Sequence, residues 1–232
     1  MKRYLEKLNV NPASAIIIGS IILGLSHLGY GYIVYSAQTN TNNEPFSVEK
    51  VAKEIKIKMS SWQACLGDAN ITKEVSDSIN DGATAGVSGT PTTFVVVKKD
   101  NNYYVVSRIE GARDYNFIKT AVDNALSGTT TKELFKGKPI NDTEFVRGKK
   151  DTVFLIEYAD AECPFCVRFH PIINKIMDTY QDRVGYVYRN FPLTQIHQDA
   201  ERRAVAIVCA GKVGGIDSYF KYINKLYEEA GR

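Results

Sequence analysis

The chain has 232 residues, 44% of them hydrophobic and 24% charged, with a formal net charge of +3 and four cysteines. One domain of roughly 150–200 residues can bury a substantial core, and four cysteines are too few for a disulfide-dense mini-protein. Basic residues are dispersed, Arg147-Gly148-Lys149-Lys150 being the densest run, which excludes the clustered basic footprint of a nucleic-acid binder.

Ala13 to Tyr35 is a 23-residue stretch free of Asp, Glu, Lys and Arg, with Tyr30, Tyr32 and Tyr35 near its far end. It is long enough to span a bilayer, and tyrosines suit the interface. Lys2, Arg3 and Lys7 precede it, so residues 1–12 are expected in the cytoplasm and everything after residue 36 on the extracytoplasmic face of the cell membrane. A cleaved signal peptide is the alternative, but its apolar core is usually only about 7–15 residues. Tyr35-Ser36-Ala37 also puts a bulky residue where cleavage wants a small one. An uncleaved signal-anchor helix over 13–35 is the preferred reading. His27 within it reads as a tolerated side chain rather than an intramembrane site.

Residues 36–46 include the polar run Gln38 to Pro45 and read as a linker. Ser47 to Met59 then carries Val51, Ile55 and Ile57 among charges, a predicted helix with Ser47 as N-cap. A second helix is expected over Asn70 to Ala85. Gly86-Val87-Ser88-Gly89-Thr90-Pro91 makes a turn, and strands follow over Thr92 to Lys98 and Tyr103 to Ile109, joined by Asp100-Asn101-Asn102 in hairpin chemistry. Asp114 caps an amphipathic helix reaching Leu126. Residues 127–150, opening on Ser127-Gly128-Thr129-Thr130-Thr131, read as a connector. Thr152 to Tyr158 is an apolar run of strand length, the signature of a buried central strand. Cys163 opens a helix to about Tyr180, Val184 to Phe191 is a strand, and helices are expected over Gln198 to Ala210 and Asp217 to Glu229. The mixture is α/β, without repeats.

Cys163-Pro164-Phe165-Cys166 sits between the buried strand and its helix. The first sulfur falls at a helix amino end, where free N–H groups and the macrodipole favour an anion. Such a setting lowers a thiol pKa from about 8.5 into the range of roughly 3.5–7.5. The second sulfur lies one turn in, placed to close or release a disulfide, and Pro164 suits the first helical turn. Two alternatives stay open on the residues alone. A zinc site would need two more ligands at matching spacing, yet Cys65 and Cys209 are isolated and His170 is the only His nearby; a purely structural bridge across two residues would be strained.

Glu157 to Cys166 followed by Phe169-His170-Pro171, the run Tyr186 to Leu193, and the loop Gly86 to Thr92 together resemble the DsbA-like branch of the thioredoxin superfamily over about Ser47 to Gly231. The resemblance implies a thioredoxin-like fold with a helical insertion. It makes Cys163 the attacking and attacked sulfur and Cys166 the resolving one, with Pro164 and Phe165 at the substrate face. Pro91 would be a cis proline, although only about 5–6% of X–Pro bonds are cis and the residues alone read as a turn. Its neighbour Thr90 would offer backbone to an extended substrate peptide. Glu157 resembles the buried acid that accepts the resolving thiol's proton, against the plainer reading of an outward-facing strand residue. Pro171 resembles a kink in the active-site helix. Phe165 replaces the His of the best-known oxidases, which leaves the direction of catalysis open. Cys65 and Cys209 resemble a second, structural cysteine pair of some relatives, the alternative being two separate buried thiols.

The order of these motifs departs from the family. Pro91 lies 72 positions before Cys163, whereas the family places its Gly-Thr-Pro loop late. A circular permutation is the simplest account, with residues 47–126 carrying the cis-Pro half and 151–232 the redox half. The rivals are a dimer with swapped halves and a rearranged gene. The implied function is a membrane-anchored protein disulfide oxidoreductase acting on unfolded or cysteine-containing exported proteins, with no cofactor beyond the Cys163–Cys166 couple. Its expected partner is a membrane protein of the quinone-linked disulfide-generating type. A reductase or isomerase, and a non-catalytic peptide-binding chaperone module, are the competing functions; the couple's redox potential separates oxidase from reductase.

Overall fold

The structure, a computed structural model, describes residues 47–129 and 131–231. The expected cytoplasmic segment 1–12, anchor 13–35 and linker 36–46 lie outside the described residues. Among the described residues no helix is long and apolar enough to cross a membrane.

In chain order the elements are α1 (Val48–Glu54), α2 (Met59–Leu66), α3 (Ala69–Thr84), β1 (Thr92–Lys99), β2 (Asn102–Glu110), α4 (Tyr115–Leu126), β3 (Val146–Gly148), β4 (Val153–Ala159), α5 (Pro164–Tyr180), β5 (Val184–Asn190) and α6 (Ala200–Ala230). The strands form one sheet in the order β2-β1-β4-β5-β3. β4 and β5 run parallel, and the other neighbours are antiparallel. Every residue of β4 and β5 is buried, as expected of central strands covered on both faces. Val153 and Leu155 face a core built from α4, α5 and α6; Phe154, Ile156 and Tyr158 face a smaller one with Val87, Phe135 and Phe191.

Local chemistry explains the element ends. Ser47 and Asp114 accept hydrogen bonds from the N–H groups of Lys50 (3.3 Å) and Phe117 (3.0 Å), capping α1 and α4. Asp100 and Asn101 take φ values of 49° and 63°, the two left-handed positions of a tight hairpin turn. α3 ends with Gly86 at φ 83° and Val87 N–H bonded back to Gly82 O at 2.8 Å, which turns the chain toward Thr90.

Two expectations change. The helix expected to run to Met59 stops at Glu54, because Lys56 turns left-handed (φ 62°) and lets the Ile57 N–H return to Ala52 O at 3.1 Å, burying Ile57. The connector 127–150 is structured: Leu134 bridges Tyr104 at one sheet edge, Phe135 fills the smaller core, and Val146 pairs with Val187 at the other edge. The two helices expected after Gln198 are present as the two segments of α6, which meet at a non-helical break at Gly215 (φ 72°, ψ −169°).

Side chains from distant segments lock these pieces together. Asp81 of α3 accepts from Tyr158 Oη at 2.5 Å and Arg189 Nη1 at 2.9 Å, and its other oxygen accepts the Lys138 N–H. Arg189 also donates to both carboxylate oxygens of Glu144 (2.8 and 3.1 Å) and to Lys138 O (2.9 Å). A buried guanidinium satisfied on all sides avoids the penalty of an unpaired interior charge. α1 lies along the end of α6: Tyr222 Oη donates to Val48 O at 2.9 Å, and Lys50–Glu229 and Lys225–Glu54 pair at 3.3 and 3.1 Å. Cys65 on α2 and Cys209 on α6 are joined by a disulfide with Cα atoms 5.7 Å apart.

Gly82 sits where α3 crosses Phe191 and Tyr158. A Cβ added there would lie 2.5 Å from Phe191 Cδ2 and 3.0 Å from Tyr158 Cδ1. Gly82→Ala is therefore expected to destabilise the fold by about 1–3 kcal/mol through overpacking, read as a lower urea midpoint. An unchanged midpoint would show that the two rings can move aside.

Candidate active site

The loop Asp160-Ala161-Glu162 carries the chain from the end of β4 to α5. Asp160 shapes it: its buried carboxylate accepts the Glu162 and Leu193 N–H groups (both 2.8 Å) and contacts His197 Nδ1 at 2.7 Å. Its carbonyl accepts the Cys163 N–H at 3.1 Å. Cys163 is thereby held as the N-cap residue of α5, with Pro164 next in the helix and Cys166 on its first turn. Both are free thiols and both are buried.

Across from them, the Thr90–Pro91 peptide is cis and ends the loop that α3 delivers. Cys163 Sγ donates to Thr90 O at 3.5 Å, so residues 73 positions apart meet within one chain. Thr90 Oγ1 is buried without a hydrogen-bond partner among the described residues, so the hydroxyl is free to turn and donate to a thiolate. Phe165, between the cysteines, is 52% exposed and forms the outer surface with Pro164.

The two sulfurs are driven apart in acidity. The Cys163 thiol is pushed down to about 5: the Cys166 thiol hydrogen-bonds to it, and against burial the Thr90 side chain and the Cys166 and Phe165 N–H groups also favour the thiolate. Cys166 is pushed well up by burial, and further by the charge of Cys163. One sulfur is set as a thiolate at neutral pH and the other as a thiol, the division that attack and resolution need.

Glu157 lies on β4 with its side chain only 1% exposed, buried and not facing out. Burial pushes its carboxyl up to about 7, although Tyr186 Oη donates to it at 2.7 Å. Its charge also helps raise Cys166, so the two groups feel each other. Tyr188 and Tyr227 extend this buried layer with hydroxyls 3.0 Å apart, and Tyr227 Oη donates to Asp160 O at 3.3 Å.

The fold thus brings Thr90 and Pro91 to the buried Cys163, with Cys166 one turn into α5, Pro164 and Phe165 exposed between the sulfurs, Glu157 buried on β4 and the Cys65–Cys209 bridge in the helical part. His170 is taken up by Asn224, 2.6 Å from its Nε2, and burial pushes it down to about 4. Pro171 lies inside α5. Sequence reasoning missed Asp160, His197 and Tyr186. Asp160 had a readable signal, an acid two residues before Glu162 in the turn position that bonds its own backbone; Tyr186 had only the strand alternation that turns it inward.

Residues 140–232, the part of the chain that carries Cys163 and Cys166, match the thioredoxin family model. The chain is 38% identical over 74 residues to the Na(+)/H(+) antiporter NhaA 3 of Salinispora tropica, covering 32% of this chain and 11% of that one. It is 40% identical over 75 residues to NhaA 1 of Mycolicibacterium vanbaalenii, covering 31% and 12%. A Rickettsia typhi protein provisionally named as a protein-disulfide oxidoreductase is 32% identical over 106 residues, 43% of this chain and 35% of that one. The chain spans about a tenth of the antiporters' length and about a third of the Rickettsia protein's.

Proposed function

We propose that this chain is a membrane-anchored, extracytoplasmic protein disulfide oxidoreductase that forms disulfides in exported proteins through the Cys163–Cys166 couple. The observation that carries the reading is the low-pKa Cys163 sulfur lying 3.5 Å from the Thr90 carbonyl at the surface where a substrate would approach. A low thiol pKa stabilises the dithiol form as a thiolate, which makes the disulfide a better oxidant.

In the oxidising half-reaction a substrate thiolate attacks Cys163 Sγ of the Cys163–Cys166 disulfide. That bond breaks, and Cys166 leaves with the electron pair and takes a proton from the Glu157 carboxyl. The substrate's second thiolate then attacks its own sulfur in the mixed disulfide, expelling Cys163 as a thiolate. Two electrons pass from substrate to enzyme, and the product carries a new disulfide. A quinone-linked membrane partner would take the electrons back. Thr90 and Pro91 would hold the substrate backbone, with Pro164 and Phe165 as the contact surface.

The anchor over 13–35 and the extracytoplasmic placement follow from the apolar stretch and the basic residues before it. The packing of α1 along the end of α6 supports a circularly permuted DsbA-like domain, because it brings together the two ends that an unpermuted chain would join. Assembly within one chain is favoured over a swapped dimer by the Cys163–Thr90 contact. Phe165 favours the second reading, a reductase or isomerase, since no imidazolium stands between the cysteines.

The reduction potential, measured against pH, tests the proposal. Below a pH of about 5 reduction takes up two protons with two electrons, a slope of about 59 mV per pH; above it Cys163 stays ionised and the slope falls to about 30 mV. A potential near the range of about −120 to −180 mV with that break supports the oxidase; one near −270 mV supports the reductase. A slope of about 59 mV up to pH 8 would overturn the thiolate on which the proposal stands.

A further inference from the structure

We infer that Asp160, held by His197, is the positioning residue of the redox loop and sets the reactivity of Cys163 from outside the sulfur pair. The inference rests on the thiol–disulfide exchange reading and adds two residues to that site.

β4 and β5 pair in register up to Ala159 and Asn190, so the segments that leave them emerge side by side. The segment after β5 and the start of α6 then fasten each of the four residues before Cys163. Phe191 N–H donates to Ala159 O at 2.8 Å, Arg203 Nη1 to Ala161 O at 3.0 Å, and Asp199 N–H to the Glu162 carboxylate at 2.7 Å. Asp160 stands at the centre. One of its carboxylate oxygens accepts the Glu162 N–H within its own turn, an ordinary loop device. The other reaches out of the turn, to the Leu193 N–H at 2.8 Å and His197 Nδ1 at 2.7 Å. The Asp160 side chain is fully buried and that of His197 only 16% exposed. A carboxylate so enclosed depends on every donor it has, because water cannot replace one.

The backbone of the same residue meets both halves of the couple. Asp160 O accepts the Cys163 N–H at 3.1 Å and the Tyr227 hydroxyl at 3.3 Å. Against the burial that pushes Cys166 up, the Asp160 N–H favours its thiolate. Cys163 Sγ takes its own stabilisation from the Cys166 thiol, the Thr90 side chain and the N–H groups of Cys166 and Phe165. Each of these acts only over hydrogen-bond distance and at a favourable angle. Turning the Asp160 peptide groups would therefore swing Sγ off its donors. His197 fixes that turn from the neighbouring loop, through the carboxylate.

The test uses the full chain, following thiolate absorbance of the reduced form against pH and the equilibrium constant with glutathione at pH 7. His197→Leu keeps the bulk and removes the donor. The Cys163 midpoint is expected to rise by about one unit from about 5, and the disulfide to become about tenfold less oxidising, about 30 mV. His197→Asn, which can donate from nearly the same place, is expected to keep both values. Asp160→Asn must turn its NH2 toward one of the backbone N–H groups and is expected to follow His197→Leu. Should His197→Leu fail to fold, His197→Gln, which displaces the donor by one bond, carries the same expectation. A lower urea midpoint with both redox values unmoved would make the pair packing alone and overturn the inference. So would a thiolate midpoint lowered by Asp160→Asn, which would show the carboxylate acting through its charge. Failure of the natural chain to exchange with glutathione overturns the exchange reading itself, and the positioning role with it.

Discussion

Replacing Cys65 and Cys209 together by alanine is expected to lower the unfolding free energy by about 4–5 kcal/mol. The bridge spans 144 positions, so its removal frees a long loop in the unfolded chain, and loop-closure entropy grows with loop length. The folded state offers little to replace it. α2 has eight residues and buries only Trp62 fully, with the indole N–H donating to Ala206 O at a long 3.4 Å. Without the disulfide, α2 would be held to α6 by that contact and a few half-buried neighbours. Urea unfolding should be measured in a Cys163→Ser, Cys166→Ser background, where reductant acts on this bridge alone. The midpoint should fall and the m-value rise, since the unlinked chain exposes more surface on unfolding. A difference below about 1 kcal/mol would mean that the unfolded state is already compact there, and the entropic account would fail.

The short-range features of this fold were readable from the residues. Cys163 to Cys166 between an unbroken apolar run and an amphipathic helix, Asp114 as a cap, and Asp100-Asn101 as a tight turn all depend on neighbours a few positions away. What escaped depends on partners far along the chain. Arg189 looked like a strand residue, yet its environment is Asp81, Glu144 and Lys138, drawn from α3 and the connector. The three-residue β3 carries too little pattern to be seen; it exists because Val187 offers it an edge. Lys56 gives no warning of its left-handed turn, since a lysine there is tolerated only because burying Ile57 compensates. The site divides in the same way. The sulfurs could be placed by local chemistry, Thr90 and Pro91 only through resemblance, and the Tyr186 partner of Glu157 only once β4 and β5 were paired in register.

Glu157→Gln is expected to remove about 3 kcal/mol of pH dependence from folding. Burial raises the folded carboxyl from 4.5 to about 7, so between those values the native state holds a proton that the unfolded state has released. Stability from this group is therefore full below a pH of about 4.5 and is lost as pH rises through about 7. Two other groups run the opposite way. His170, pushed down to about 4, and reduced Cys163, pushed down to about 5, contribute stability at higher pH that disappears on acidification. The comparison must therefore use the oxidised protein, where the sulfurs do not titrate, and take the difference between natural chain and variant so that His170 cancels. That difference curve should be flat below a pH of about 4 and rise in the variant's favour by about 3 kcal/mol by pH 9. Tyr186, which donates to the carboxylate at 2.7 Å, can equally donate to the Gln carbonyl, so the substitution leaves the packing in place. The catalytic consequence follows from the same proton. Cys166 must gain one when the disulfide opens and lose one when it re-forms, and a buried amide can do neither. Exchange through the mixed disulfide should slow by about a hundredfold, and the limb of its pH profile near 7 should vanish. Parallel stability curves, or an unchanged limb, would place the proton elsewhere, and the layer of Tyr186, Tyr188 and Tyr227 beneath the sulfurs would then be packing alone.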